Sequence, residues 1–335
     1  MSGGVDSSAA AYLAKQRGFE CMGAKMKLFA DDGAEDAGSV AHRLEMPFQV
    51  FDFSLDFKKK VIDRFVEAYQ GGATPNPCIE CNRHLKFGKL LARARQLDLD
   101  YIVTGHYARV EYDAAKNRYL LKKAVDRAKD QSYFLYSLTQ EQLCRTIFPL
   151  GGLLKSEVRE IAFRQGFATA SKRDSQDICF VAGDDYAKFI EEYTGQKCDE
   201  GDFIDIDGNV LGRHKGQIGY TIGQRKGLGI AWANPLYVKS KNTRDNTITL
   251  CENGGLFEKS LQAADFNWIA CESPHRPVRV KAKIRYAQAE QWATAVPISD
   301  NAVHIEFDEP QRAITKGQAV ALYDGDVVLG GGTIK

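Results

Sequence analysis

The chain has 335 residues, with 45 Lys and Arg against 44 Asp and Glu and a formal net charge of +1. That length accommodates two or three domains, and near-neutrality means that any affinity for a polyanion must come from where the cations sit, not from their total. Eight cysteines are too sparse for a disulfide scaffold, and there is neither a basic-then-apolar leader nor an apolar run of membrane-spanning length, so the expectation is a cytoplasmic protein with no membrane partner.

At the start of the chain, Ser2 to Ser7 reads SGGVDS. Two glycines allow a tight turn and close approach to an anion, while Ser2, Ser7 and Ser8 offer hydroxyls and amides to phosphate oxygens. The stretch Ser8 to Gln16 is rich in helix formers and Gly18 suits its C-terminal cap, so a helix N-terminus faces the loop. Asp6 is unusual in an anion site and is expected to orient Mg²⁺ or a polar nucleotide group. A Gly-Lys-Ser/Thr triplet is absent, which excludes the Walker-type loop.

Next come a strand over Cys21 to Met26, a helix over Ala34 to Leu44, a strand over Phe48 to Phe53 and a helix over Phe57 to Tyr69. Leu85 to Leu97 reads as a helix and Tyr101 to Val103 as a strand ending at Thr104-Gly105-His106. This alternation predicts an α/β region with a parallel sheet and flanking helices, whose ligands gather at the carboxyl ends of the strands. Between these elements lies TPNPCIECNRHLKF, Thr74 to Phe87. With a helix starting just after Cys81, the helix dipole, Arg83 and Lys86 are expected to lower the Cys81 pKa. Cys78-x-x-Cys81 has the spacing of half a zinc site, and no second C-x-x-C or His pair completes it. A third thiol, Cys179, follows in RDSQDICF.

After about Gly195 the texture becomes short extended runs broken by turns such as Asp207-Gly208 and Asp245-Asn246. From there on the chain is expected to be mostly β. From Gly208 to Arg244 there are seven Lys or Arg and no acid, with Tyr220, Trp232 and Tyr237 interleaved. Further on, Arg279, Lys281, Lys283 and Arg285 alternate with Val278, Val280, Ala282 and Ile284, which in a strand puts four cations on one face. Both patches suit RNA phosphates. Tyr133, Phe134 and Tyr136 have a spacing that favours the core over stacking on a flipped base.

SGGVDSS, PNPCIECNRHLKF, TGHYAR, KDQSYFLY, DSQDICF and GRHKGQIGYTIGQRKGLGI occur in this order from one end of the chain to the other. Together they resemble the bacterial tRNA-specific 2-thiouridylases, enzymes of the PP-loop ATP pyrophosphatase superfamily that place sulfur on C2 of the wobble uridine of tRNA. The resemblance implies a PP-loop ATP-binding catalytic domain over 1–194, a small, mostly β central tRNA-binding domain over 195–260 and a C-terminal β-barrel over 261–335, with ATP and Mg²⁺ as cofactors, tRNA as substrate and a cysteine desulfurase or sulfur-relay protein as partner. It assigns ATP to Ser2, Gly3, Gly4, Val5, Asp6, Ser7, Ser8, Met26 and Gly105. Cys81 becomes the nucleophile and Cys179 the persulfide carrier. Asn76, Pro77 and Cys78 fall where the family meets the target base; His106, Lys129, Asp130, Gln131, Arg285, Tyr286 and Gln318 fall where it meets tRNA.

Two departures accompany the resemblance. Many members carry an acidic residue where this chain has Cys78, so Cys78, Cys81 and Cys179 form an alternative ligand set for a [4Fe-4S] cluster that carries the sulfide. The family also has a short apolar strand before the loop, whereas this sequence opens on the loop itself; either the start lies too late or ATP is bound poorly. Two other readings stand beside the thiolation one. Another PP-loop adenylating synthetase would not need Cys81 and Cys179, and a tRNA-binding protein with an impaired ATP site would keep RNA affinity alone.

Overall fold

Helix α1 (Val5–Gln16) starts at Val5, inside the glycine-serine loop, and not at Ser8, where the alanine-rich stretch begins. The structure, a computed structural model, describes residues 1–29, 34–167, 178–181, 183 and 185–335. Strand β1 (Gly23–Lys27), helix α2 (Ala34–Arg43) and strand β2 (Phe48–Asp52) follow, and β1 and β2 pair in parallel from Gly23 opposite Phe48 to Lys27 opposite Asp52. Helices α3 (Ser54–Phe57) and α4 (Asp63–Gln70) are joined by a wide π turn, Lys58–Ile62.

The next helix begins at Pro77 and not after Cys81. Its three parts are α5 (Pro77–Cys81), a π segment over Asn82–Lys89 and α6 (Leu90–Gln96). Pro77 suits the first helical position because it has no N–H to leave unpaired, and the Asn76 side chain caps the end by accepting the Cys78 N–H at 3.1 Å. Strand β3 (Ile102–Val103) leads to the hairpin β4 (Ala108–Asp113) and β5 (Arg118–Lys123), then helix α7 (Gln140–Cys144), strand β6 (Thr146–Ile147) and helices α8 (Lys155–Arg164) and α9 (Tyr186–Thr194). β3 and β6 form a second parallel pair, so the α/β expectation holds.

A small sheet follows, built from β7 (Gly201–Ile204), β8 (Val210–His214), β9 (Leu236–Asn242) and β10 (Thr247–Glu252) in the order β8-β7-β10-β9. The last six strands are β11 (Phe257–Trp268), β12 (Val278–Lys283), β13 (Gln291–Ser299), β14 (Ala302–Arg312), β15 (Ala319–Asp324) and β16 (Val327–Ile334). Their order is β11-β14-β13-β12-β15-β16, and β11 pairs back onto β16, which closes the barrel and removes its free edges. Val280, Ala282, Ala293, Ala295, Val303 and Ile305 fill the interior, while the alternate residues face outward.

The hairpin β4–β5 leaves the α/β region and joins the barrel sheet through Lys122 opposite Val327. One core accompanies this junction. Ile79, Phe87, Leu121, Tyr133 and Tyr136 pack with Ala319, Ala321, Tyr323 and Val328, and the Tyr133 hydroxyl donates to the Ala319 carbonyl at 2.9 Å. Tyr133 and Tyr136 are therefore core residues, as their spacing predicts, and only Phe134 of the three is partly exposed.

Candidate active site

The loop ahead of α1 is held by its own polar groups. Gly3 has φ +77°, where a side chain would be strained, and Gly4 is extended and caps the helix with no side chain of its own. Ser7 and Ser8 hydroxyls both donate to the Gly4 carbonyl, at 3.0 and 2.9 Å, and the Ser2 hydroxyl meets Ser7 at 3.1 Å. The first amides of α1 then face outward at the positive end of a twelve-residue helix, an arrangement suited to phosphate. Gly105, at the end of β3, lies against this turn. A Cβ there would come within 2.8 Å of the Asp6 carbonyl carbon and 3.0 Å of the Ser7 nitrogen, so only glycine permits the contact. Met26, on β1, lines the adjoining apolar cluster.

Asp6 has two protein partners that sequence reading missed. Lys155 Nζ donates to both of its carboxylate oxygens, at 2.7 and 2.8 Å, and the Tyr107 hydroxyl donates at 2.9 Å. Lys155 and Tyr107 are both buried. Lys155 is the first residue of α8, where the helix dipole disfavours a cation, and that misplacement was the available signal. Gln131 fixes Tyr107 in turn: its N–H donates to the Tyr107 carbonyl at 2.8 Å, and its side-chain oxygen accepts the Tyr107 N–H at 3.0 Å. Asp130 is buried, accepting from Ala124 and Ser132 amides and the Ser132 hydroxyl. It shapes this turn from inside, contrary to the expectation that it faces tRNA; Lys129 beside it is half-buried.

The three thiols converge. Cys81 and Ile178 pack in one cluster with Phe57, Leu85 and Phe180, and Cys78 and Cys81 lie close enough to Cys179 to oppose its ionisation. Asp174 to Asp177 of the DSQDICF motif lie outside the described residues. Lys86 is the shared neighbour, for its charge reaches Cys78, Cys81, Cys179, His106 and the start of the chain at Met1. The π segment explains this placement, because a turn closed by i to i+5 bonds returns Lys86 to the side of the helix that carries Cys81.

The expected lowering of the Cys81 pKa is overturned. Burial pushes the Cys81 thiol up, and Lys86 pulls it down by less. Cys78 is raised for the same reason, and Cys179 is pushed up to about 11, first by desolvation and then by Cys81 and Cys78. Protein atoms crowd all three sulfurs although Cys78 and Cys179 also reach solvent. Desolvation wins because Cys81 sits at the end of the first helical segment, past the amides that favour an anion. All eight cysteines are free thiols, and among the described residues no group of three or more His, Cys, Asp or Glu is arranged to hold a metal ion.

Several residues expected at tRNA also have partners within the protein. Gln318 donates to the Thr74 carbonyl at 2.7 Å and, with Lys316 accepting the Thr74 N–H at 2.8 Å, straps the barrel to the approach of the thiol helix. The Arg285 guanidinium donates to the Ala313 carbonyl at 2.6 Å and the Thr315 hydroxyl at 2.8 Å, and reaches Ile222 of the central region. His106 bonds Thr104 at 2.7 Å and lies between Phe87 and Phe148; burial, reinforced by Lys86, holds it well below the usual imidazole range and therefore neutral. The four-cation strand face also divides, since Arg279 forms a two-pronged ion pair with Asp308. In the central basic stretch Arg213 pairs with Asp202, and Lys241 donates to the Tyr220 carbonyl at 2.9 Å. Burial lowers Lys241 to about 8.

Comparison with known proteins covers the whole chain. Residues 1–183 match the family model described as tRNA methyl transferase HUP domain, residues 187–252 the tRNA methyl transferase PRC-barrel domain and residues 258–334 the aminomethyltransferase beta-barrel domain. The chain is 50% identical over 348 residues to the tRNA-specific 2-thiouridylase MnmA of Clostridioides difficile (strain 630), covering 100% of this chain and 96% of that protein. It is 47% identical over 350 residues to the corresponding protein of Acetivibrio thermocellus, covering 100% and 98%. The tRNA-specific 2-thiouridylase MnmA 1 of Thermoanaerobacter sp. (strain X514) is 49% identical over 350 residues, with 100% and 96% covered.

Proposed function

The chain belongs to the tRNA-specific 2-thiouridylase family, and from that premise we propose that it is a tRNA-uridine 2-sulfurtransferase, replacing the C2 oxygen of the wobble uridine with sulfur at the expense of ATP. The observation that carries the reading is the gathering of Cys78, Cys81 and Cys179 around Lys86, on the helix that also reaches His106 beside the Gly105 contact with the phosphate loop.

A uridine C2 oxygen is a poor leaving group, and ATP supplies the adenylyl group that makes it a good one. The outward amides of Val5, Asp6 and Ser7 hold the phosphates of that substrate, and Gly105 gives them room. Asp6 is held by Lys155 and Tyr107, so a Mg²⁺ ion at this loop would take its ligands chiefly from phosphates and water. Lys155 keeps Asp6 from repelling the phosphates.

Sulfur reaches Cys179 from a donor persulfide: the Cys179 thiolate bonds the donor's terminal sulfur and the donor's own thiolate leaves. The Cys81 thiolate then attacks the inner sulfur of the Cys179 persulfide, forming a Cys81–Cys179 disulfide and releasing hydrosulfide. Hydrosulfide adds to C2 and AMP departs with the original oxygen. An external dithiol donates two electrons to restore both thiols. Lys86 stabilises each sulfur anion in turn. The alternative [4Fe-4S] reading, with Cys78, Cys81 and Cys179 as ligands, does not fit this arrangement, because among the described residues no three such groups are placed to hold a metal ion. Protein purified without oxygen and free of iron and acid-labile sulfide, yet active with a persulfide donor, excludes it.

Incubation with unmodified tRNA, Mg-ATP and a persulfide source, followed by mass spectrometry of nucleosides, tests the function. The expected product is a 2-thiouridine nucleoside at the wobble position with one pyrophosphate released per sulfur inserted. Pyrophosphate release that ignores tRNA, with no thionucleoside formed, would point to a different adenylating synthetase. tRNA affinity without ATP binding would leave only an RNA-binding protein.

A further inference from the structure

Trp292 stands on the outer face of the barrel with 50% of its surface exposed, directly across from Lys281 in the β12–β13 register. The Arg279 guanidinium lies 4.9 Å from the centre of its ring and the Lys281 ammonium 5.2 Å. An indole so placed gains little from burial, so the core does not account for it. Arg279 is fixed by Asp308, whereas among the described residues Lys281 and Lys283 have no ion-pair partner.

This indole ends a row that begins at the thiol helix. Asn82, next to Cys81, donates to the Phe134 carbonyl at 3.1 Å. The Phe134 ring meets Tyr286 at 4.6 Å, and the Lys283 ammonium lies 5.4 Å over the Tyr286 ring. Lys281 is the next outward residue along β12, roughly 7 Å farther, and Trp292 is beside it. Exposed π faces alternating with unpaired ammonium groups are what an unpaired RNA strand recognises, since each base offers a face for stacking and each step a phosphate.

We propose that Trp292 is a stacking station for an unpaired nucleotide of the tRNA other than the wobble base, with Lys281 and Lys283 holding the phosphates beside it. The inference rests on tRNA being the substrate and deepens that reading by extending the RNA path onto the outer wall of the barrel. Should the indole instead only brace Arg279 and Lys281, its removal will alter stability and leave RNA binding unchanged.

The test uses the full chain and unmodified tRNA, with Trp292→Ala, Trp292→Phe and Lys281→Ala variants. The chain has three tryptophans, at 232, 268 and 292, so fluorescence can be assigned by substitution. The expected result is that Trp292→Ala weakens tRNA binding about 5- to 100-fold, Trp292→Phe restores most of it, and ATP affinity stays unchanged. Lys281→Ala should reduce the salt slope of binding by about one. Saturating tRNA should quench wild-type fluorescence, with the change lost in Trp292→Phe. Wild-type tRNA affinity in Trp292→Ala with a lowered melting temperature overturns the proposal and leaves the bracing role. If the wild-type chain itself fails to bind tRNA, the functional reading fails, and this inference with it.

Discussion

The phosphate loop and the thiol cleft belong to the same α/β region and share Lys86 as a neighbour, yet they are prepared in opposite ways. Around the loop nearly every polar group has a partner: serine hydroxyls hold the Gly4 carbonyl, Lys155 and Tyr107 hold Asp6, and Gln131 holds Tyr107. In the cleft, burial keeps all three thiols protonated against the pull of Lys86. In the proposed cycle one half is fixed before the substrate arrives, and the other gains its reactive anion only when sulfur chemistry begins. The difference suits an enzyme that must not expose a reactive thiolate before the carbonyl has been activated.

The sharpest way to break this contrast is to remove a sulfur. Cys81→Ser and Cys179→Ser are each expected to reduce thiolation of tRNA by at least about a thousandfold while leaving ATP affinity unchanged, since neither thiol belongs to the loop network. Thionucleoside yield and equilibrium ATP binding, measured on the same preparations, decide it. A purified single variant with wild-type sulfur transfer would remove the two-thiol cycle.

Loss of Lys155 probes the other half. Lys155→Met leaves Asp6 without its cation, and because Asp6 keeps about a third of its side chain exposed the cost is about 1–3 kcal/mol, below that of a fully buried pair. A melting temperature lower by a few degrees and weaker ATP binding are expected, with Cys179 alkylation unchanged. Equal loss of thiol reactivity would show that the two halves are not independent.

The smallest effect concerns Lys86. Since burial raises the thiols and Lys86 lowers them, Lys86→Met should move their ionisation further to the alkaline side. Below its pKa of about 11, Cys179 alkylation should rise close to tenfold per pH unit, and at a given pH the variant should react several-fold more slowly. Peptide mass spectrometry after timed iodoacetamide exposure reads each cysteine separately. Identical pH profiles in wild type and variant would take Lys86 out of the cleft.

Much of this arrangement was legible in the chain. The glycine-serine loop, the alternating helices and strands and the inward-outward pattern of β12 depend on neighbours a few residues away, and each stands close to where local preference puts it. Helix starts were less legible. Proline and asparagine begin the thiol helix at Pro77, and Cys81 consequently lies past the first turn that would have favoured its thiolate. The cations of β12 were read correctly as one face, but the pairing of Arg279 with Asp308 on β14 needed the barrel to close.

The sequence alone determined which groups the protein owns: a phosphate loop, three cysteines of the right kind, a basic and aromatic barrel wall. Only the tertiary structure decided which of them act together. It set Lys155 on Asp6, about a hundred and fifty residues away, brought Cys179 to Cys81, and turned Asp130 and Arg285 toward the scaffold. Backbone preference is set by adjacent residues, whereas ionisation and charge pairing depend on distance through space and on the exclusion of water, and these exist only once remote segments have packed.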